Sequence, residues 1–268
     1  MPCNEQSIVS DQDNALVLGD DFDSARHDAY FLELARRVSD GLAACGYTYC
    51  KGDVMATNPR WRQPLSVWRQ YFSDWIDHPT PERLLHSNIF FDLDSVYGEN
   101  PFVESLQDLV AERAKDSELF LAAMARNALN RTPPLGFFRD FVMEKDGKHN
   151  NSINVKRRGT APLVDLIRVH ALACGSRAQN SFERLDDIGR IQLLQHGWAI
   201  GCARRWSSSA SRGSVIRSVR IWRRREPETI SNRRTFRPRE RRDLKEAFQA
   251  LSNAQKFLKF RYPMPAGR

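Results

Sequence analysis

The hydrophobic periodicity of this chain changes near residue 115, and no other feature restricts its possible folds as strongly. Before that point short apolar runs bounded by turn residues alternate with segments of helical spacing; after it every clear apolar pattern is helical. Residues 14–18 (Asn-Ala-Leu-Val-Leu) follow two aspartates and precede Gly19-Asp20-Asp21, which predicts a short buried strand. Phe31, Leu34, Ala35, Val38 and Leu42 then lie three and four residues apart, the apolar face of a helix over 30–44 that stops near Gly46. Residues 47–50 predict the next strand. After the breaks at Asn58-Pro59 and Gln63-Pro64, Leu65, Trp68, Phe72, Trp75 and Ile76 mark an amphipathic helix, and Trp61, Trp68 and Trp75, seven apart, read as a buried stripe. The aromatic run Ile89-Phe90-Phe91-Asp92-Leu93 predicts a central strand with Asp92 near its end, and a helix over 102–114 closes the first domain.

Beyond it, helices are expected over 118–129, 162–173 and 240–258. The second carries Leu163, Leu166, Ile167 and His170 on one face with Pro162 in its first turn. The third carries Leu244, Ala247, Phe248, Leu251 and Leu258. No further strand is expected. The fold class that follows is α+β: strands with helices over residues 1–115, then an all-α helical bundle over 116–262. A chain of 268 residues with 41% hydrophobic side chains can bury two such cores.

No apolar run approaches the roughly 20 residues that cross a bilayer, and the opening residues are polar and acidic, so the expectation is a cytoplasmic protein with no membrane partner. The five cysteines (Cys3, Cys45, Cys50, Cys174, Cys202) include no CxxC pair and read as buried reduced thiols. The six histidines show no HxH or HExxH spacing, so sequence spacing gives no zinc site. The net charge of +8 is unevenly spread. Residues 201–242 hold 14 arginines, no lysine and three acids, a balance of +11, which leaves −3 for the other 226 residues. The bulk of the chain is therefore mildly acidic, and nucleic acid is not expected as its main partner.

Asp11-Gln12-Asp13 stands at the mouth of the first strand. Alternate strand positions face the same way, so both carboxylates can meet one hard cation. Mg2+ suits two such oxygens, because it keeps several waters and takes its remaining ligands from substrate phosphates. Asp92 is the candidate third carboxylate. Such a site, with one or two metal ions, fits nucleotidyl transfer from a nucleoside triphosphate.

These residues lie within a longer resemblance. Residues 5–16 (Glu-Gln-Ser-Ile-Val-Ser-Asp-Gln-Asp-Asn-Ala-Leu), residues 52–61 (Gly-Asp-Val-Met-Ala-Thr-Asn-Pro-Arg-Trp) and Phe90-Phe91-Asp92-Leu93 with Val96-Tyr97-Gly98 resemble, in order, motifs of the DUF294 nucleotidyltransferase family. That family is related to the N-terminal domain of PII-protein uridylyltransferase and to the polymerase-beta superfamily. Lys156-Arg157-Arg158-Gly159, residues 162–168 and residues 240–245 resemble its helical substrate-binding domain, and the fold the resemblance implies is a polymerase-beta-like mixed sheet with helices followed by a helical bundle. The resemblance implies Asp11, Asp13 and Asp92 as catalytic metal ligands. Lys156, Arg157 and Arg158 become candidates for holding nucleotide phosphates, and the relation to PII-protein uridylyltransferase implies transfer of a nucleoside monophosphate such as uridylyl to a protein or small-molecule acceptor in signalling.

The chain departs from the family pattern twice. Met1-Pro2-Cys3-Asn4 stands where the family has a Gly-Ser-x-Gly-Arg turn, and loss of its backbone N–H groups predicts weakened nucleotide binding. Residues 201–239 interrupt the resemblance with an Arg/Ser/Trp composition like that of a stretch translated out of frame. Two alternatives to an active enzyme follow: a catalytically inactive interaction module, and a nucleic-acid-binding arm in which Trp206 and Trp222 stack between arginines.

Overall fold

The computed structural model describes residues 11–133, 144–146, 149–154, 156–194, 230–232 and 238–263. It divides into two compact units, Met1–Arg113 and Ala114–Arg268. The architecture is α+β, with helix predominant.

In the first unit, strand β1 (Asp11–Gln12) pairs in parallel with β3 (Thr48–Tyr49), and β2 (Leu16–Leu18) pairs in parallel with β4 (Arg62–Pro64). Among the described residues these are two short parallel ladders, where one mixed sheet was expected. Helix α1 (Ser24–Ala44) connects the strands. Asp23 caps it by accepting from the Ala25 N–H at 2.9 Å, and Gly46, at φ +99°, ends it in the left-handed conformation. Its buried face is rotated from the expected one. Ala35 and Ser39 are buried, whereas Leu34 and Val38 face outward with Tyr30. The reason lies in the packing partner: the Gln12 amide reaches the Ser39 carbonyl at 3.1 Å, and only small side chains allow that approach.

A short 3-10 turn (Pro59–Trp61) leads through β4 to α2 (Leu65–Asp77). Its Trp68, Phe72, Trp75 and Ile76 are all buried, and so is Trp61, as the seven-residue spacing predicts. Trp61 stacks on Trp68 at 6.0 Å, while Phe72 meets Trp75 and Phe91 at 5.2 Å each. The Trp68 indole N–H donates to the Leu16 carbonyl at 3.0 Å, tying this aromatic core to β2.

Residues 81–90 correct the sequence expectation. They form helix α3 (Pro81–Phe90), not the start of a central strand, and Asp92 lies in the turn that follows. Thr80 caps the helix and Pro81 opens it. His86, Ser87 and Phe90 are buried at helical spacing. The aromatic run that suggested β structure is the buried end of a helix packed on Trp61, Trp68 and Trp75. Helix α4 (Asn100–Asp116) follows.

The second unit holds α5 (Glu118–Leu129), α6 (Ala161–Ala173), α7 (Ser181–Leu194) and α8 (Pro238–Arg261). Leu163, Leu166, Ile167 and His170 are buried as predicted, and so are Leu244, Ala247, Phe248, Leu251 and Leu258. The bundle is not all-α. Strands β5 (Glu144–Asp146), β6 (His149–Asn154) and β7 (Ile230–Asn232) form an antiparallel sheet in the order β5-β6-β7. Their sequences, Glu-Lys-Asp, His-Asn-Asn-Ser-Ile-Asn and Ile-Ser-Asn, have neither apolar alternation nor strong β propensity, so pairing alone reveals them. Strand β7 and the first two residues of α8 are the described part of the arginine-rich residues 201–239. The remaining expectations for that stretch, and for residues 1–10, lie outside the described residues. Among the described residues no helix is long and apolar enough to cross a membrane.

Candidate metal site

Gln12 fixes the candidate site from within. Its side chain is 1% exposed, and its amide donates to the Ser39 carbonyl at 3.1 Å and the Tyr47 carbonyl at 3.2 Å. With Gln12 turned inward, the residues on either side, Asp11 and Asp13, turn outward onto one exposed face. Asn14 secures the position just past the strand. Its Nδ2 donates to Gln12 Oε1 at 3.1 Å, its Oδ1 accepts from the Ala56 N–H at 2.8 Å, and its own N–H donates to the Val54 carbonyl at 3.1 Å.

The loop opposite is held as firmly. Asp53 adopts a left-handed φ of 56°, and its carbonyl accepts from the Trp61 indole at 3.0 Å. Asn58 Nδ2 donates to the Asp53 carboxylate at 2.8 Å and to its carbonyl at 3.3 Å. Arg62, buried at the start of β4, donates to the carbonyls of Ala56 and Thr57 and to Asp28 of α1. Strand, loop and helix are thus joined around the acidic pair.

In the β1–β3 ladder Asp11 lies beside Thr48 and Gln12 beside Tyr49. One further step in the same parallel register brings Cys50 beside Asp13. The ligand atoms of Asp11, Asp13 and Cys50 all lie within 4.8 Å of one another. Cys50 was not a candidate on sequence grounds. The strand over 47–50 was legible, but its register against β1 was not. The cysteines also depart from the buried thiols expected: Cys45, at the end of α1, is exposed, and Cys50 and Cys174 are half-buried.

Asp13 is open to solvent by surface area, yet the protein crowding its carboxyl raises its pKa above the ordinary carboxylate value. A hydrogen bond from the Cys50 thiol opposes that rise, and the neighbouring Asp11 charge adds to it. The Cys50 thiol is itself pushed up, first by burial and then by donating to Asp13. Two carboxylates that repel each other across a short gap are what a divalent cation relieves, so the donor set fits a metal ion.

Asp92 is buried in the turn after α3 and does not join the group gathered within 4.8 Å. Lys156, Arg157 and Arg158 belong to the second unit, in a wide helical turn (Lys156–Thr160) before α6. There Arg157 is exposed and Arg158 Nη1 donates to the Thr132 carbonyl at 3.3 Å.

Comparison with known proteins places both units. Residues 4–82 match the family described as "Putative nucleotidyltransferase DUF294", and residues 118–262 match "Putative nucleotidyltransferase substrate binding domain". Asp11, Asp13 and Cys50 fall inside the first match, and Asp92 lies between the two. The second match alone takes in more than half of the chain and runs across the arginine-rich residues. No curated protein and no solved structure matches the chain. With the Asp-x-Asp strand in one matched stretch and the helical bundle in the other, this chain belongs to the DUF294 family.

Proposed function

We propose that the protein is a magnesium-dependent nucleotidyltransferase with a polymerase-beta type catalytic unit. It transfers a nucleoside monophosphate, uridylyl being the form that kinship with PII-protein uridylyltransferase favours, to a protein or small-molecule acceptor in signalling. The observation that carries this reading is the outward pair Asp11 and Asp13, held on one face by the inward Gln12. Asp11 and Asp13 would hold Mg2+, which would supply electrostatic stabilisation for negative charge on the triphosphate.

The chain's own residues do the rest. Asp11 and Asp13 contribute hard anionic oxygens, and Gln12 and Asn14 keep their spacing fixed before any ligand arrives. A carboxylate of the group accepts the acceptor's proton as the new bond forms. Asp92 keeps the role of third carboxylate that the resemblance implies. Lys156, Arg157 and Arg158 keep that of a phosphate-binding turn on the second unit.

The test is incubation of the full chain with alpha-labelled nucleoside triphosphates, Mg2+ and a cell extract as the source of acceptor. Label should pass to an acceptor fraction with the wild type and fall to background with Asp11→Asn and Asp13→Asn. Asp92→Asn in the same assay decides the third carboxylate. If wild-type chain neither binds a nucleotide with Mg2+ nor transfers label, the catalytic reading fails in favour of an interaction module.

A further inference from the structure

We propose that Cys50 sets which cation this site takes, converting the oxygen pair of Asp11 and Asp13 into a mixed oxygen and sulfur set that selects Zn2+ and Cd2+ over Mg2+. The proposal rests on the reading of Asp11 and Asp13 as metal ligands. The three donor atoms converge from two neighbouring strands, the carboxylates from β1 and the thiol from one step beyond β3. Within a tetrahedral Zn2+ site, bonds of about 2.0–2.3 Å place neighbouring ligands roughly 3.5 Å apart. The three donors already lie within 4.8 Å of one another, near that spacing.

The backbone that carries the thiol is tied down: the Cys50 N–H donates to Met55 Sδ at 3.3 Å, and the Asp53 N–H donates to the Cys50 carbonyl at 3.1 Å. Such bonds around a ligand residue limit its movement. Cys50 is half-buried and the two aspartates are exposed, so an ion can reach all three. Hard Mg2+ gains little from a thiol, whereas thiolate ligands favour Zn2+ and Cd2+. On binding, the thiol proton leaves to solvent, the metal takes two oxygens and one sulfur, and a fourth position stays open for water or a phosphate oxygen. A thiophilic ion seated there excludes Mg2+ from the same two carboxylates, so zinc supply would govern the activity of the site. No sequence spacing announces this set, because the three residues meet only through the parallel register.

The experiment uses the full chain, titrated calorimetrically with Mg2+, Zn2+ and Cd2+, with the absorbance of the cadmium–thiolate bond as a second readout. Wild type and Cys45→Ser should both show the cadmium–sulfur band. Cys50→Ser should abolish it and weaken Cd2+ and Zn2+ binding by about 10–100-fold, leaving Mg2+ affinity within about twofold. A band that survives Cys50→Ser, or unchanged cadmium affinity, overturns the proposal and leaves Cys50 as a hydrogen-bond partner of Asp13. Should Cys50→Ser fail to fold, cadmium NMR on the wild type decides: a resonance typical of one sulfur among oxygens supports the assignment, and an all-oxygen or multi-sulfur resonance overturns it. The two readings fail differently. Mg2+ binding left intact by Asp11→Asn fails the metal reading itself. Mg2+ binding lost in Asp11→Asn, with cadmium binding indifferent to Cys50→Ser, fails only the role given to Cys50.

Discussion

Replacing Asn14 by alanine removes the joint between β1 and the loop that carries Cys50. Two side-chain hydrogen bonds disappear: the donation to Gln12 Oε1 and the acceptance from the Ala56 N–H. The Asn14 backbone bond to Val54 remains. Ala56 is only 5% exposed, so its N–H is left buried without a partner, at a cost of about 1–3 kcal/mol. The lost bond to Gln12 costs about 1 kcal/mol more, since that amide keeps its links to Ser39 and Tyr47. The sum, roughly 2–4 kcal/mol, lowers the urea midpoint by about 1–2 M at a slope of about 2 kcal/mol per molar. Urea unfolding followed by tryptophan fluorescence gives the loss, and hydrogen exchange over residues 50–61 gives its location, with the Ala56 amide exchanging faster. Asn14→Asp keeps the acceptor for Ala56 but not the donor to Gln12, and should lose less than the alanine variant. A loss below about 0.5 kcal/mol for Asn14→Ala, the range of an ordinary surface change, would refute the reasoning. So would unchanged exchange at Ala56.

Two further outcomes follow from the cores. Phe72, fully buried against Trp68, Trp75 and Phe91, should cost about 3–5 kcal/mol as Phe72→Ala, read from thermal melts; a loss under about 1 kcal/mol would contradict the packing described. Burial, and then the charge of Arg261, hold the His170 pKa down at about 3, against an ordinary 6.5. The unfolded chain therefore takes up a proton near pH 6.5 that the folded one refuses. The contribution of this group to stability is complete above pH 6.5 and is lost as pH falls from there toward 3. His86, also lowered by burial, acts in the same direction. His170→Phe, beside Phe257, should flatten the fall in melting temperature over that window, and an unchanged slope would argue against it.

Where a residue's partners lie close in sequence, the fold was legible. Trp68, Phe72, Trp75 and Ile76 of α2, and the apolar rows of α6 and α8, repeat with the helical period and are buried where it puts them; Trp61 is buried with them from the 3-10 turn before α2. Strand β2 and the outward pair at Asp11 and Asp13 follow from alternation over a few residues. Residues 89–93 misled because aromatic bulk favours strands by propensity, while the cap Thr80-Pro81 signals a helix; the cap prevailed because His86, Ser87 and Phe90 could then share one buried face. Strands β5 to β7 were invisible, since polar strands carry no periodic signal and β7 is distant in sequence from β6. Cys50 was missed for a related reason: its place beside Asp13 is a property of strand register, which neither segment encodes alone.

The most direct measurement is a crystal structure of the full chain grown with Mn2+, read by anomalous scattering. The account predicts a peak about 2.1 Å from one carboxylate oxygen of Asp11 and one of Asp13. Manganese bound elsewhere on the chain, with those two carboxylates bare at saturating concentration, would contradict it.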